Sequence, residues 1–144
     1  MEGGERMKKN LGLGLLAGVG ILIIEMLATQ LAGLFVPGYL TEIQNGQIFR
    51  PWTDPLMMLF FVYPFLIGVI FAWFWNFIKK IVKGKTALEK GFNFAVIYFA
   101  LATIPGMFIT LSSFQISFFM VLVWAISGFV EVFFAGWLLA KLNS

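Results

Sequence analysis

Apolar residues run through this chain in four long stretches, Leu11 to Val36, Pro55 to Ile78, Ala87 to Leu111 and Phe114 to Ala140, with most polar residues gathered between them. Each stretch reaches the ~20 helical residues that cross a hydrocarbon core of about 30 Å. The pattern predicts an all-α fold: an integral membrane bundle of four transmembrane helices, filling residues 1–144 as a single domain. Composition agrees, because 144 residues that are 60% hydrophobic carry more apolar side chains than a water-soluble domain of this size buries around one core.

End signals refine the pattern. Asn10 can cap the first helix, and Pro37 with Gly38 ends it. Asp54 followed by Pro55 forms a cap and first-turn pair for the second helix. Thr86 and Glu89 have capping-box spacing at the start of the third, and Ser112 with Gln115 repeats it before the fourth. That repetition predicts a tight antiparallel hairpin linked at Ser112 and Ser113. Pro64 and Pro105–Gly106 are expected to kink the second and third helices and to expose carbonyls there. Residues 1–6 are polar, and they are expected to be disordered and dispensable for insertion.

Charge sets the topology. Nine of the ten basic residues fall before the first stretch (Arg6, Lys8, Lys9), around the second connection (Lys79, Lys80, Lys83, Lys85, Lys90) and after the fourth stretch (Lys141). With four crossings these three segments share one side, and the positive-inside rule makes that side, with both termini, cytoplasmic. The net charge of +3 is thereby topological, and no nucleic-acid partner is expected. The expected location is the plasma membrane of a prokaryotic-type cell. The first stretch is too long for a signal-peptide core and contains a glutamate, so it reads as a retained span.

The chain has neither cysteine nor histidine. Disulfides, thiolate or imidazole metal sites, histidine-dependent triads and histidine-ligated haem are therefore excluded, and no cofactor is expected.

Two spans each carry a lone acid, Glu25 in the first and Glu131 in the fourth. About 1.5 Å of rise per residue puts both some 15 to 18 Å from a membrane boundary, near the midplane. A carboxyl at that depth costs several kcal/mol unless it is neutralised or paired, so such groups face protein or a water-filled cavity. Neighbouring residues agree: Gly14 and Gly18 form a small-xxx-small pair on the first helix, and Gly18, Glu25 and Ala32 recur at intervals of seven. Ser127 and Gly128 stand one turn before Glu131, and Ala135 one turn after it. No lysine or arginine lies in the spans, and two acids brought together would share one proton.

Two functions fit. In one, Glu25 and Glu131 form a site for protons, cations or lipophilic cations, with Thr29, Ser127 and Thr103 as further oxygens and Trp124 as an aromatic wall. In the other, the acids are hydrogen-bonded braces in a non-catalytic subunit, scaffold or assembly factor of a larger membrane complex, or in a homo-oligomer. No nucleophile, cofactor ligand or phosphate-gripping cluster accompanies the acids, so an enzyme is not expected. Four helices with an acid in the first resemble the plan of the small multidrug transporters, from which the long loop Gly38–Thr53 and the acid in helix four depart.

Three further features have plain readings. The loop aromatics Tyr39, Phe49 and Trp52 suit headgroup level, or a lid over a site between the helices. Phe71, Trp73, Phe74, Trp75 and Phe77 read as lipid contacts and an aromatic belt. Lys79, Lys80, Lys83 and Lys85 beside them suit anionic lipid as a partner, besides the bilayer itself. Finally, Leu27-Ala28-Thr29 before Gly33-Leu34-Phe35 is echoed by Leu101-Ala102-Thr103 before Gly106-Met107-Phe108, the spacing of a parallel two-helix repeat.

Overall fold

A computed structural model describes residues 2–144. It contains α1 (Glu2–Phe35), the short α2 (Tyr39–Ile43), a 3-10 turn Pro55–Met57 leading into α3 (Met58–Ile78), α4 (Ala87–Tyr98), a π-helical turn (Phe99–Thr103), α5 (Ile104–Ser113) and α6 (Phe118–Leu142). Four continuous helical stretches, Gly3–Phe35, Pro55–Ile78, Ala87–Ser113 and Phe118–Leu142, are long and apolar enough to cross a membrane. Met1 lies outside the described residues.

Three boundaries differ from the sequence reading. Helix α1 starts at Glu2 rather than Leu11. Asn10 is therefore an interior residue and not a cap, and Glu2–Arg6 are helical, against the disorder expected there; at about 1.5 Å per residue the helix overruns a 30 Å core and carries its basic turn beyond it. The fourth helix starts at Phe118 rather than Phe114. Ser112 donates its hydroxyl back to the Ile109 carbonyl at 3.0 Å, and Ser117 caps α6 by accepting from the Met120 N–H at 3.1 Å. The third span reaches Ser113 and is interrupted by its π turn. Thr86 does cap α4, accepting the Glu89 N–H at 3.2 Å, while the Glu89 carboxylate takes the Lys85 N–H.

Helices α1 and α6 lie inside the arrangement, packed on each other, with α3 against α1 and α4 against α6. Glycine makes the two outer packings close. A Cβ at Gly68 would collide with the Gly14 carbonyl oxygen and come within 2.8 Å of the Gly18 nitrogen, and one at Gly91 would lie 2.6 Å from the Trp137 nitrogen. Backbone meets backbone at both crossings, as small residues permit in membrane helices. By contrast α3 and α4 meet through rings. Phe71 stands edge-on to Phe94 and Tyr98, with centroids 5.4 and 5.2 Å away, and Trp75 to Phe94 at 5.7 Å.

Buried residues of the main core, among them Ala17, Ile21, Ala72, Trp75, Phe94, Ala135 and Leu139, all belong to the half of the bundle that carries the termini. Trp75 and Phe71 are thus core residues, contrary to the lipid-facing reading, whereas Trp73, Phe74 and Phe77 are exposed. The reason is phase: Phe71 and Trp75 lie one turn apart on one face of α3, and the other three rings point away from it. The Trp75 ring N–H donates to the Asn143 carbonyl at 3.0 Å, satisfying the polar tip of a fully buried indole.

Candidate functional site

Beyond this core, towards the loop end, the helices separate around a cavity of about 730 Å³. Every span contributes to its wall. Glu25 and Thr29 come from α1, Tyr63 and Phe71 from α3, Tyr98 and Thr103 from the third span, and Trp124, Ser127 and Glu131 from α6. The cavity thus brings together all six residues singled out from sequence, Glu25, Glu131, Thr29, Ser127, Thr103 and Trp124.

Local backbone explains the placement. Glu25 and Thr29, four apart on α1, share a face, as do Trp124, Ser127 and Glu131 on α6. Gly128 opens space on that face: a Cβ there would meet nothing within 4 Å. On the third span, Tyr98 and Thr103 are five residues apart, a spacing that an α-helix would turn well away from one face. The π turn Phe99–Thr103 removes the discrepancy by holding an extra residue. Pro105 stands two residues beyond it, and a ring nitrogen that cannot donate to the preceding turn accounts for the interruption there.

The polar groups differ in how far they are satisfied. Glu25 Oε2 is buried and has no hydrogen-bond partner among the described residues. Glu131 lines the same cavity from α6. Ser127 donates its hydroxyl to the Trp124 carbonyl at 3.2 Å rather than to Glu131. Thr103 is buried. No group of three or more acidic residues is arranged to hold a metal ion among the described residues.

The loop closes the far end. Gly38, at φ 79°, makes the left-handed turn after α1 that only glycine takes without strain. Tyr39 then buries against Ala32 and Met120, and Phe49 stacks edge-on to Trp124 with centroids 6.0 Å apart. The Glu42 carboxylate accepts from both the N–H and the hydroxyl of Ser117, the latter at 2.7 Å. An acid at the N-terminus of α6 also suits the helix dipole. Arg50, on the cavity wall, is paired with Asp54 at 2.8 Å, so the one base at the cavity carries its own counter-ion. The Leu56 N–H, and after it the Arg50 guanidinium, hold the Asp54 carboxyl below its ordinary value.

Sequence reasoning passed over Tyr63, Tyr98 and Glu42. A signal existed for the tyrosines: they are the two hydroxyl-bearing rings inside the spans, and such a ring needs somewhere polar to point. None existed for Glu42, whose partner Ser117 lies 75 residues away.

No protein-family model, curated protein or solved structure matches this chain.

Proposed function

We propose that the protein binds and moves lipophilic organic cations, with proton exchange at Glu25 and Glu131, across a prokaryotic-type plasma membrane. The observation that carries this reading is that Glu25 and Glu131 both line one cavity walled by aromatic residues. Size selects among the cations. A liquid water occupies about 30 Å³, so a site for a proton or a bare inorganic ion needs a small fraction of this cavity. Its volume falls in the range of about 300 to 1,000 Å³ typical of small-molecule pockets. Negative charge at the centre and the faces of Trp124, Tyr63 and Tyr98 around it suit a cation with an apolar body. Thr29, Thr103 and Ser127 supply hydroxyl oxygens on the same wall.

In this reading Arg50–Asp54 leaves the mouth near neutral, and the loop serves as a lid. The termini and Lys83 are cytoplasmic and Gln44 is outside, which labelling of Gln44→Cys from the outer side alone would verify. The reaction is translocation without covalent chemistry, by a single copy, a homo-oligomer or a part of a larger complex. A parallel two-helix repeat remains part of the proposal, with α1 and α3 corresponding to the third span and α6.

The test is binding and pH-driven flux of tetraphenylphosphonium in proteoliposomes. Glu25→Gln and Glu131→Gln keep size and hydrogen bonding but remove the ionisable state, so each should abolish flux while thermal stability in detergent survives. Absence of binding and flux in the parent protein, with stability lost only in Glu25→Leu and Glu131→Leu, favours the scaffold reading instead.

A further inference from the structure

The end of the bundle that carries the termini has its own recess, unconnected with the carboxylate cavity and built where the start of α1 meets the ends of α3 and α6. It measures about 650 Å³ and is lined by Arg6 and Lys9 of α1, Lys79 and Lys80 following α3, and Glu5. Four cations face one carboxylate there. The basic residues are far apart in sequence, and the glycine crossing of α1 on α3 brings them together.

The floor of the recess is braced. Asn143, itself buried, donates its side-chain amide N–H to the Asn76 side-chain oxygen Oδ1 at 3.1 Å, and its own Oδ1 takes the Lys79 ammonium at 3.4 Å. The Asn76 amide N–H is in turn tied to the Ala72 carbonyl at 2.9 Å. Lys79 also donates to the Ser144 carbonyl at 3.3 Å, which leaves one of its three N–H donors for a ligand. On the lipid side the flanking residues Trp73, Phe77 and Ile81 are exposed. An apolar flank beneath a basic recess matches a phospholipid, whose chains lie along the rings while its phosphate meets the cations.

We propose that this recess is a binding site for an anionic phospholipid headgroup, held by Arg6, Lys9, Lys79 and Lys80. Lys85 is outside it, engaged through its N–H with Glu89, and Lys83 lines an adjoining depression with Lys79 and Lys80. The site is therefore narrower than the run of lysines in the sequence and includes two bases from the other end of the chain. Basic recesses between transmembrane helices hold phosphate-bearing headgroups on the same physical grounds.

The experiment uses the full chain in phosphatidylcholine nanodiscs doped with phosphatidylglycerol, reading lipid retention by native mass spectrometry after extraction. The parent should retain phosphatidylglycerol in preference to phosphatidylcholine. The pairs Lys79→Gln with Lys80→Gln and Arg6→Gln with Lys9→Gln should each weaken retention about fivefold per charge removed. Lys8→Gln with Lys85→Gln, which removes equal charge outside the recess, should leave it unchanged, and Lys79→Arg with Lys80→Arg should restore it. Equal losses in the recess and control pairs mean diffuse surface attraction and overturn the site. So does equal retention of the two lipids, and so does displacement of the lipid by inorganic phosphate at matched concentration, which would mark a soluble-anion site.

Discussion

The half of the bundle that carries the termini and the half towards the loop are made from the same four spans, yet one is closed by backbone contact and the other is hollow. In the first, Gly14 and Gly18 meet Gly68, Gly91 meets Gly136 and the segment before Trp137, and Trp75 and Phe94 fill what remains. In the second, Gly128 has open space on the cavity wall where a Cβ would stand, and carboxyl, hydroxyl and phenol groups line the gap. Membrane helices gain little from apolar burial against one another, because lipid is as apolar as leucine. Close packing in one half therefore secures the assembly and leaves the other free to hold polar groups that a packed core would exclude.

The largest expected effect breaks the closed half. Gly68→Val places side-chain atoms against the backbone of α1, where nothing flexible can yield, and should lower stability by at least the ~1 to 3 kcal/mol typical of overpacking. Gly128→Ala, on the hollow side, should stay within about 0.5 kcal/mol. Thermal unfolding in detergent compares them; similar losses at both positions would remove the distinction between the halves.

A middle-sized effect belongs to the loop's attachment. Ser117→Ala removes one hydroxyl donor from Glu42 and the cap from Met120, at a cost of about 1 kcal/mol. Hydrogen exchange should quicken across residues 38–50 and the start of α6 and leave α4 unchanged. Trp75→Phe probes the other half at similar size: the Asn143 carbonyl loses its indole donor, and about 1 kcal/mol should go with it, accompanied by faster exchange at the end of α6.

The smallest effect is a dependence on pH at the loop end. The Asp54 carboxyl sits below its ordinary value when folded, chiefly through the Leu56 N–H and then Arg50. Its contribution is therefore complete above the unfolded value of about 3.9 and is lost as pH falls through the lower folded value. The protection of the Leu56 amide relative to its intrinsic exchange rate should fall below that window, and in Asp54→Ala it should be low at every pH.

Sequence carried the spans and most of their ends because hydropathy and lysine placement act locally, residue by residue. It also carried Glu25, Glu131 and their neighbours, since a carboxyl in an apolar run is conspicuous without any knowledge of its surroundings. What it could not carry depended on contacts between distant segments. The two capping-box spacings look alike in the chain, yet Ser117 rather than Ser112 caps α6, because Glu42 from the loop engages Ser117. Trp73 and Trp75 are likewise indistinguishable as members of an aromatic run. Only the side on which α4 and the end of α6 pack decides which of them is buried.

The π turn at Phe99–Thr103 has a consequence for how this gene can change. Loss of a single codon within it would leave an ordinary α-helix, which is the easier structure to form, so the span would still insert. Because the turn holds one extra residue, Ile104 to Ser113 would keep their phase and Met107 would stay on the cavity wall, whereas the same loss within Ala87–Tyr98 would turn one part of the span against the other by about 100°. Insertions and deletions in membrane helices are commonly judged by whether the segment remains long enough to span. Here the place of the loss decides, because only the π turn has a residue to spare.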